Sequence, residues 1–239
     1  MNIIIKNDNF KIGQDEKDKT SFTIFFDSYN EALIKSISKT KIILGATTTE
    51  KYKTLSFKAS NVKTFLDFQK ELERENKANK MPYNLILRMT HNLVIQLNYL
   101  IKHFSKTFLG FSHKNLIIVD KTKFMYVCDE FLLDINHDEN LLISFPFTHD
   151  DFFFAPELIH VKEIPSFLHY KVTYFSLGSL ILHALLGEYD LINWNEEDKL
   201  RQTKLKWLLN ALLIKNTKFY WLLERSLVEE PKNRCLLFI

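Results

Sequence analysis

The stretch Asp150–Pro165, "DDFFFAPELIHVKEIP", sets Phe152, Phe153 and Phe154 directly against Ala155-Pro156-Glu157. Such a run is either a strand feeding a buried loop or the closing end of a longer segment. Three common residues in a row decide nothing alone. The residues at fixed distances on either side decide it.

On the N-terminal side, two short apolar stretches, "NLIIVD" and "KFMYVCD", flank Lys121-Thr122 and read as two strands with a turn. Before them, Pro82 sits where a helix can begin. Ile86, Met89, Leu93, Leu97, Ile101 and Phe104 then recur every three or four residues, which predicts a core-facing helix over 82–104. "NVKTFLDFQKELEREN" reads as an earlier helix with a charged, solvent-facing tail. On the C-terminal side the sequence predicts three helices, at about 171–186, 195–213 and 217–228.

Residues 1–57 read differently. "NIIIK" and "NFKI" flank the turn-prone Asn7-Asp8-Asn9 and pair as a hairpin. "SFTIFF" is a third strand. "DSYNEALIKSIS" is predicted helical, with Asp27 or Ser28 as N-cap and Glu31 closing a capping box on Ser28. "KIILGATTT" and "YKTLSFKA" read as two more strands. The expectation is an α+β chain in which a small β-rich part precedes a larger helical one. No internal repeat is visible.

Composition narrows the function classes. The chain has 239 residues, 46% hydrophobic and 26% charged, with 21 Phe and only 5 Gly and 5 Pro, which suits a packed domain rather than a disordered one. Net charge is +3, too small to imply nucleic acid. "KLRQTKLK" reads as the solvated face of a helix. Cys128 and Cys235 make no C-x-x-C pair, and the eight His show no metal-ligand spacing. The N-terminus lacks a signal-peptide h-region. The most apolar stretch, "VTYFSLGSLILHALLG", is short of the roughly 18 apolar residues of a membrane span. An intracellular, cytoplasmic protein outside the membrane is expected.

The order and spacing of these elements resemble the eukaryotic protein kinase fold, over nearly the whole chain and most closely from Pro82 to Arg234. Asn115 in "KNLIIVD" matches the Asn that ends the catalytic loop. Asp129 in "YVCDEF" matches the Asp of the Asp-Phe-Gly motif. Ala155-Pro156-Glu157 then closes the activation segment, Asp129–Glu157. "TYFSLGSLILHALLG" keeps Ser176-Leu177-Gly178 and Gly187 of the next family helix, and "EEPKNR" supplies Glu230, Pro231 and Arg234. The resemblance implies a bilobal fold, with a reduced N-lobe at 1–57 and a C-lobe at 58–239. It also implies a buried ion pair between Glu157 and Arg234, and an activation segment whose end, Phe152–Phe154, packs onto the helical lobe.

Phosphoryl transfer in this family needs parts that are missing here. "KNDNFKIG" has no Gly-rich pattern, and its Asn side chains would crowd a phosphate. The phosphate-binding Lys of the third strand is replaced by Phe25 or Phe26. Glu31 stands where its helix partner belongs, although capping explains Glu31 equally well. The catalytic-loop Asp, five residues before Asn115, becomes Gly110, with Phe108 and Leu109 at the His-Arg positions. An alternative register offers His113 as base, on too short a loop. Asp129 and Asn115 survive as vestigial metal ligands, or serve as a turn cap and a local backbone contact. The Asp that braces the catalytic loop falls at Thr173.

The expected function is that of a pseudokinase, a binding or scaffolding module for protein partners, with no cofactor and no bound metal. Its surfaces would be the inter-lobe groove, the remodelled activation segment, or the region near Trp194. Two alternatives stand beside it. One is an atypical phosphotransferase using ATP and Mg²⁺ through Asp129 and Asn115. The other is a structural subunit of a large assembly, its pocket filled by its own side chains.

Overall fold

A computed structural model of the chain describes residues 1–49, 53–76, 80–147, 152–187 and 198–237. These residues form a mixed α+β structure of six α-helices and four antiparallel sheets.

The first sheet takes strands β1 (Asn2–Lys6), β2 (Phe10–Gln14), β3 (Ser21–Phe26), β4 (Thr47–Thr49) and β5 (Thr54–Lys58), in the order β1-β2-β3-β5-β4. Period-2 alternation sets the register, because a one-residue slip would turn every apolar side chain to water. Phe10 lies opposite Phe26, Ile12 opposite Ile24, and Phe22 opposite Phe57. All six are buried. Helix α1 (Glu31–Ser38) adds Ala32, Leu33, Ile34 and Ile37 to the same core.

The rest of the chain opens with β6 (Val62–Thr64), α2 (Phe65–Asn76) and α3 (Tyr83–Phe104). Strands β8 (Leu116–Val119) and β9 (Lys123–Tyr126) make a hairpin whose turn holds Asp120 and Lys121 at positive φ. β6 pairs with β8 to complete a three-stranded sheet. Two ribbons follow. One pairs β7 (Lys106–Phe108) with β10 (Leu132–Asp134), the other β11 (Asn140–Ile143) with β12 (Ser166–His169). Helix α4 (Val172–Leu186) is buried on every side from Val172 to Ala184. That is why its sequence is apolar without a helical period. α6 (Lys218–Ser226) packs against it, and α5 (Asp198–Ala211) packs against α6. No described helix is long and apolar enough to cross a membrane.

Four local expectations are corrected. The N-cap of α1 is Asn30, whose Oδ1 accepts from the Leu33 N–H at 3.1 Å, and not Asp27 or Ser28. Glu31 pairs with Lys35 one turn on instead of closing a capping box. Residues 41–46 form a turn rather than a strand. Lys41 and Gly45 take positive φ there, which breaks a ladder, while Ile42 and Ile43 are buried. The stretch from Asn61 starts as strand β6, because Val62 to Thr64 find open partners on β8. The described part of α5 runs from Asp198 to Ala211, and the predicted start at 195, like Trp194, lies outside the described residues.

Candidate functional site

The β1–β2 turn closes with a bond from the Asn7 N–H to the Phe10 carbonyl at 2.9 Å. That turn carries Asn7, Asp8 and Asn9 across to the helical part of the molecule. The Asn7 side-chain amide donates to Asn115 Oδ1 at 2.8 Å and to the Lys114 carbonyl at 3.3 Å. The Asn9 amide donates to Cys128 Sγ at 3.2 Å and to Glu130 Oε2 at 3.3 Å. Ser28, just beyond β3, donates from Oγ to Asp129 Oδ2 at 3.1 Å. Two of these side chains, Asn7 and Ser28, thus reach the two residues singled out as vestigial metal ligands, Asn115 and Asp129, and Asn9 bonds to the neighbours of Asp129 on either side.

Asn115 ends a 3₁₀ turn, His113–Asn115, capped by Ser112 Oγ on the Lys114 N–H at 3.2 Å. Its carbonyl accepts from the Val127 N–H at 3.1 Å, which locks the turn to the β8–β9 hairpin. The Asn115 side chain is buried. Cys128 is buried too, and burial pushes its thiol up to about 12 from an ordinary 9.0. Asn9 therefore faces a neutral thiol. Tyr126 is fully buried, and desolvation raises its phenol well above the usual range. Its hydroxyl accepts from the Ser112 N–H at 3.3 Å and reaches the Gly110 carbonyl at 3.5 Å.

Gly110 is the position that the kinase resemblance assigns to a catalytic Asp. A Cβ placed there would lie 2.5 Å from both Cδ1 and Cε1 of Phe154. The backbone position is roofed by an aromatic ring, not open to a substrate. This also resolves the three phenylalanines. Phe154 is buried over Gly110. Phe152 packs edge-on against Phe131 at 4.7 Å and stacks on Phe154 at 5.3 Å. Phe153 turns the other way, toward His183 at 5.4 Å and His113 at 6.3 Å. Its N–H donates to the Phe111 carbonyl at 2.8 Å. His113, the alternative base, is buried between these rings.

Thr173, at the expected brace position, is buried, and its Oγ1 has no hydrogen-bond partner among the described residues. Ser176, one helical turn further, makes the brace instead. Its Oγ accepts from the Phe111 N–H at 2.6 Å. Phe26 belongs to the apolar face of the sheet opposite Phe10, whereas Phe25 is half-buried on the other face. Neither side chain offers a charge.

Glu157 and Arg234 come together over 77 residues. Nη1 meets Oε1 at 2.5 Å and Nη2 meets Oε2 at 2.8 Å, a bidentate pair. Arg234 is fully buried, and Glu157 is 18% exposed. The guanidinium also donates to the carbonyls of Val228 at 2.7 Å and Glu229 at 2.8 Å, and lies over the Phe175 ring at 4.9 Å. Every face of the cation is thereby satisfied, which a buried charge requires.

Asn115 Oδ1 and Asp129 Oδ2 already accept from Asn7 and Ser28, and the turn over them carries amide side chains where phosphates would need bare backbone N–H groups. No family model matches the chain, and no curated protein matches it. Sequence reading missed Asn7, Asn9, Ser28 and Ser176 as contact residues. The only signal was negative: Asn side chains where a phosphate-binding turn has glycine.

Proposed function

We propose that this chain is a degenerate member of the protein kinase-like superfamily, a pseudokinase that works by binding protein partners inside the cell. In this reading the five-stranded sheet with α1 is the small lobe and the remainder the helical lobe. The element order supports it: α3, the β8–β9 hairpin between Asn115 and Asp129, Ala155-Pro156-Glu157, α4, then Arg234. The bidentate Glu157–Arg234 pair supports it as well.

One observation carries the loss of activity. Phe154 roofs Gly110 at the position where a general base must meet a hydroxyl. General-base positioning is worth about 10²–10⁴-fold in rate. Here the base is absent and its place is blocked. The test is incorporation of radiolabelled γ-phosphate into the protein itself and into generic substrates. The expected result is none. Incorporation that disappears in Asp129→Ala would establish catalysis through that carboxylate and end the pseudokinase reading.

A second reading has its own observation. Asn7, Asn9 and Ser28 fill the groove with internal hydrogen bonds. That suits a rigid subunit whose pocket serves only to hold its two parts in one orientation. Co-purification from the native source distinguishes the two. Stoichiometric recovery in one fixed assembly supports the subunit, and exchangeable partners support the scaffold.

A further inference from the structure

A cavity of about 470 Å³ opens between the turn after α1, the exposed side of α3 and the start of β9. Its size lies within the roughly 300–1,000 Å³ of small-molecule sites. Lys41, Arg88, Lys123 and His91 line it, with Ile42 and Thr122 between them. Among the described residues, no carboxylate is in the lining. Three formal cations in one concavity equal the net charge of the entire 239-residue chain, +3.

The lining side chains stand on a rigid frame. Arg88 and His91 are three apart on α3 and so share a face. The Asn92 side chain accepts from the Phe124 N–H at 3.0 Å, and Gln96 accepts from the Tyr126 N–H at 3.0 Å. These two bonds fasten β9, and Lys123 at its start, along α3. Gln96 also donates to Ser36 Oγ at 3.1 Å, which fastens the end of α1 to the same helix. Lys41 follows in a turn with positive φ, anchored by the buried Ile42. One carboxylate works against the cluster from outside the lining. Asp120 pairs with Lys123 at 3.1 Å, while it also accepts from the Ser60 N–H at 2.7 Å. Lys41 and Arg88 are exposed, and neither has an ion-pair partner among the described residues.

We propose that this cavity binds a small molecule carrying two or more phosphate groups. A guanidinium and two ammonium groups lining one cavity from three fixed elements match clustered phosphate oxygens, with charge-assisted hydrogen bonds as the source of affinity. A single monoanion would leave most of that charge unanswered. The site shares no residue with the Asn7–Asn115 contact and does not depend on the pseudokinase reading.

Isothermal titration of the full chain tests it, with pyrophosphate and inositol hexakisphosphate as probes and sulfate as the monomeric control. Saturable one-to-one binding of a polyphosphate, with sulfate much weaker, is expected. Arg88→Glu and Lys41→Glu should each weaken it about tenfold or more, the scale of one lost charge-assisted contact. Lys206→Glu makes the same charge change on exposed α5 and should leave binding within about twofold. Thermal unfolding of each variant checks that it is folded, and the two cavity variants guard against failure of either. Absence of saturation overturns the proposal. So does equal weakening by Lys206→Glu, which would mean diffuse attraction to a basic surface. ATP binding abolished by Arg88→Glu would belong to this cavity and leave the pseudokinase reading intact. ATP binding unaffected by it would count against that reading instead.

Discussion

Asn7 and Asn115 are 108 positions apart, and the amide of the first donates to the side-chain oxygen of the second at 2.8 Å. This contact joins a turn of the five-stranded sheet to the end of a 3₁₀ turn beneath it. Together with Asn9 on Cys128 and Ser28 on Asp129, it makes the groove between the two parts a place of internal bonding. These bonds are partly exposed, so each contributes about 0.5–1.5 kcal/mol. Asn7→Ala and Asn9→Ala should each lower unfolding stability by that amount in urea. Hydrogen exchange should speed up in the 3₁₀ turn at His113–Asn115 and in β2 together. Exchange changes confined to β2 would mean the turn does not clamp the two parts.

Thermal shift with ATP, with and without Mg²⁺, should show no stabilisation through the groove. The acceptors that would hold a cation already accept from Asn7 and Ser28. Saturation at micromolar ATP that Asp129→Ala abolishes would contradict this.

Arg234→Ala should destabilise the protein by roughly 3–5 kcal/mol, the usual cost of breaking a buried pair. Glu157→Ala should cost at least as much, because the fully buried guanidinium is the partner left behind. Arg234→Lys should rescue little, since an ammonium cannot meet both carboxylate oxygens and the two carbonyls in one plane. Chemical denaturation measures all three. A loss below about 1 kcal/mol in the alanine variants would show that the pair is not a strut.

Gly110→Ala should cost about 1–3 kcal/mol, the range for forcing an extra group into a packed site. The added Cβ meets the Phe154 ring at 2.5 Å. In a Phe154→Leu background the same substitution should cost measurably less, and a double-mutant cycle gives the coupling. Gly110→Asp should be folded less stably and remain inactive, since restoring one member of a catalytic unit recovers almost nothing. Additive costs in the cycle would show that Phe154 is not the obstacle.

Native protein should present one reactive thiol, Cys235, to a maleimide at pH 8, and two once unfolded. Cys235 is exposed, and Cys128 is buried with its thiol pushed up to about 12. The sign of the linked stability follows. A thiol whose folded pKa is raised holds its proton better in the folded state. Its contribution is therefore complete below pH 9 and is lost as pH rises toward about 12. Cys128→Ala should flatten that alkaline decline. Rapid labelling of Cys128 in the native state would contradict its burial.

The sequence by itself determined the elements whose pattern is local. The α3 stripe from Ile86 to Phe104 and the alternation through β2, β3 and β5 are periods of 3.6 and 2, and one face of each must leave water. The Glu157–Arg234 pair was also legible, although from family resemblance and not from any period. What only the tertiary structure decided depends on long separations. The ribbons β7–β10 and β11–β12 have strands of three or four residues, too short for a periodic signal, and exist because a distant partner supplies the ladder. Ser28 reads as a helix cap until Asn30 takes that role and Asp129, 101 residues away, offers an acceptor. Ser176 braces the loop instead of residue 173 because its hydroxyl, and not that of Thr173, reaches the Phe111 N–H. Gly110 reads only as a missing carboxylate. That the gap is sealed by Phe154, 44 positions on, follows from packing, which no local pattern encodes.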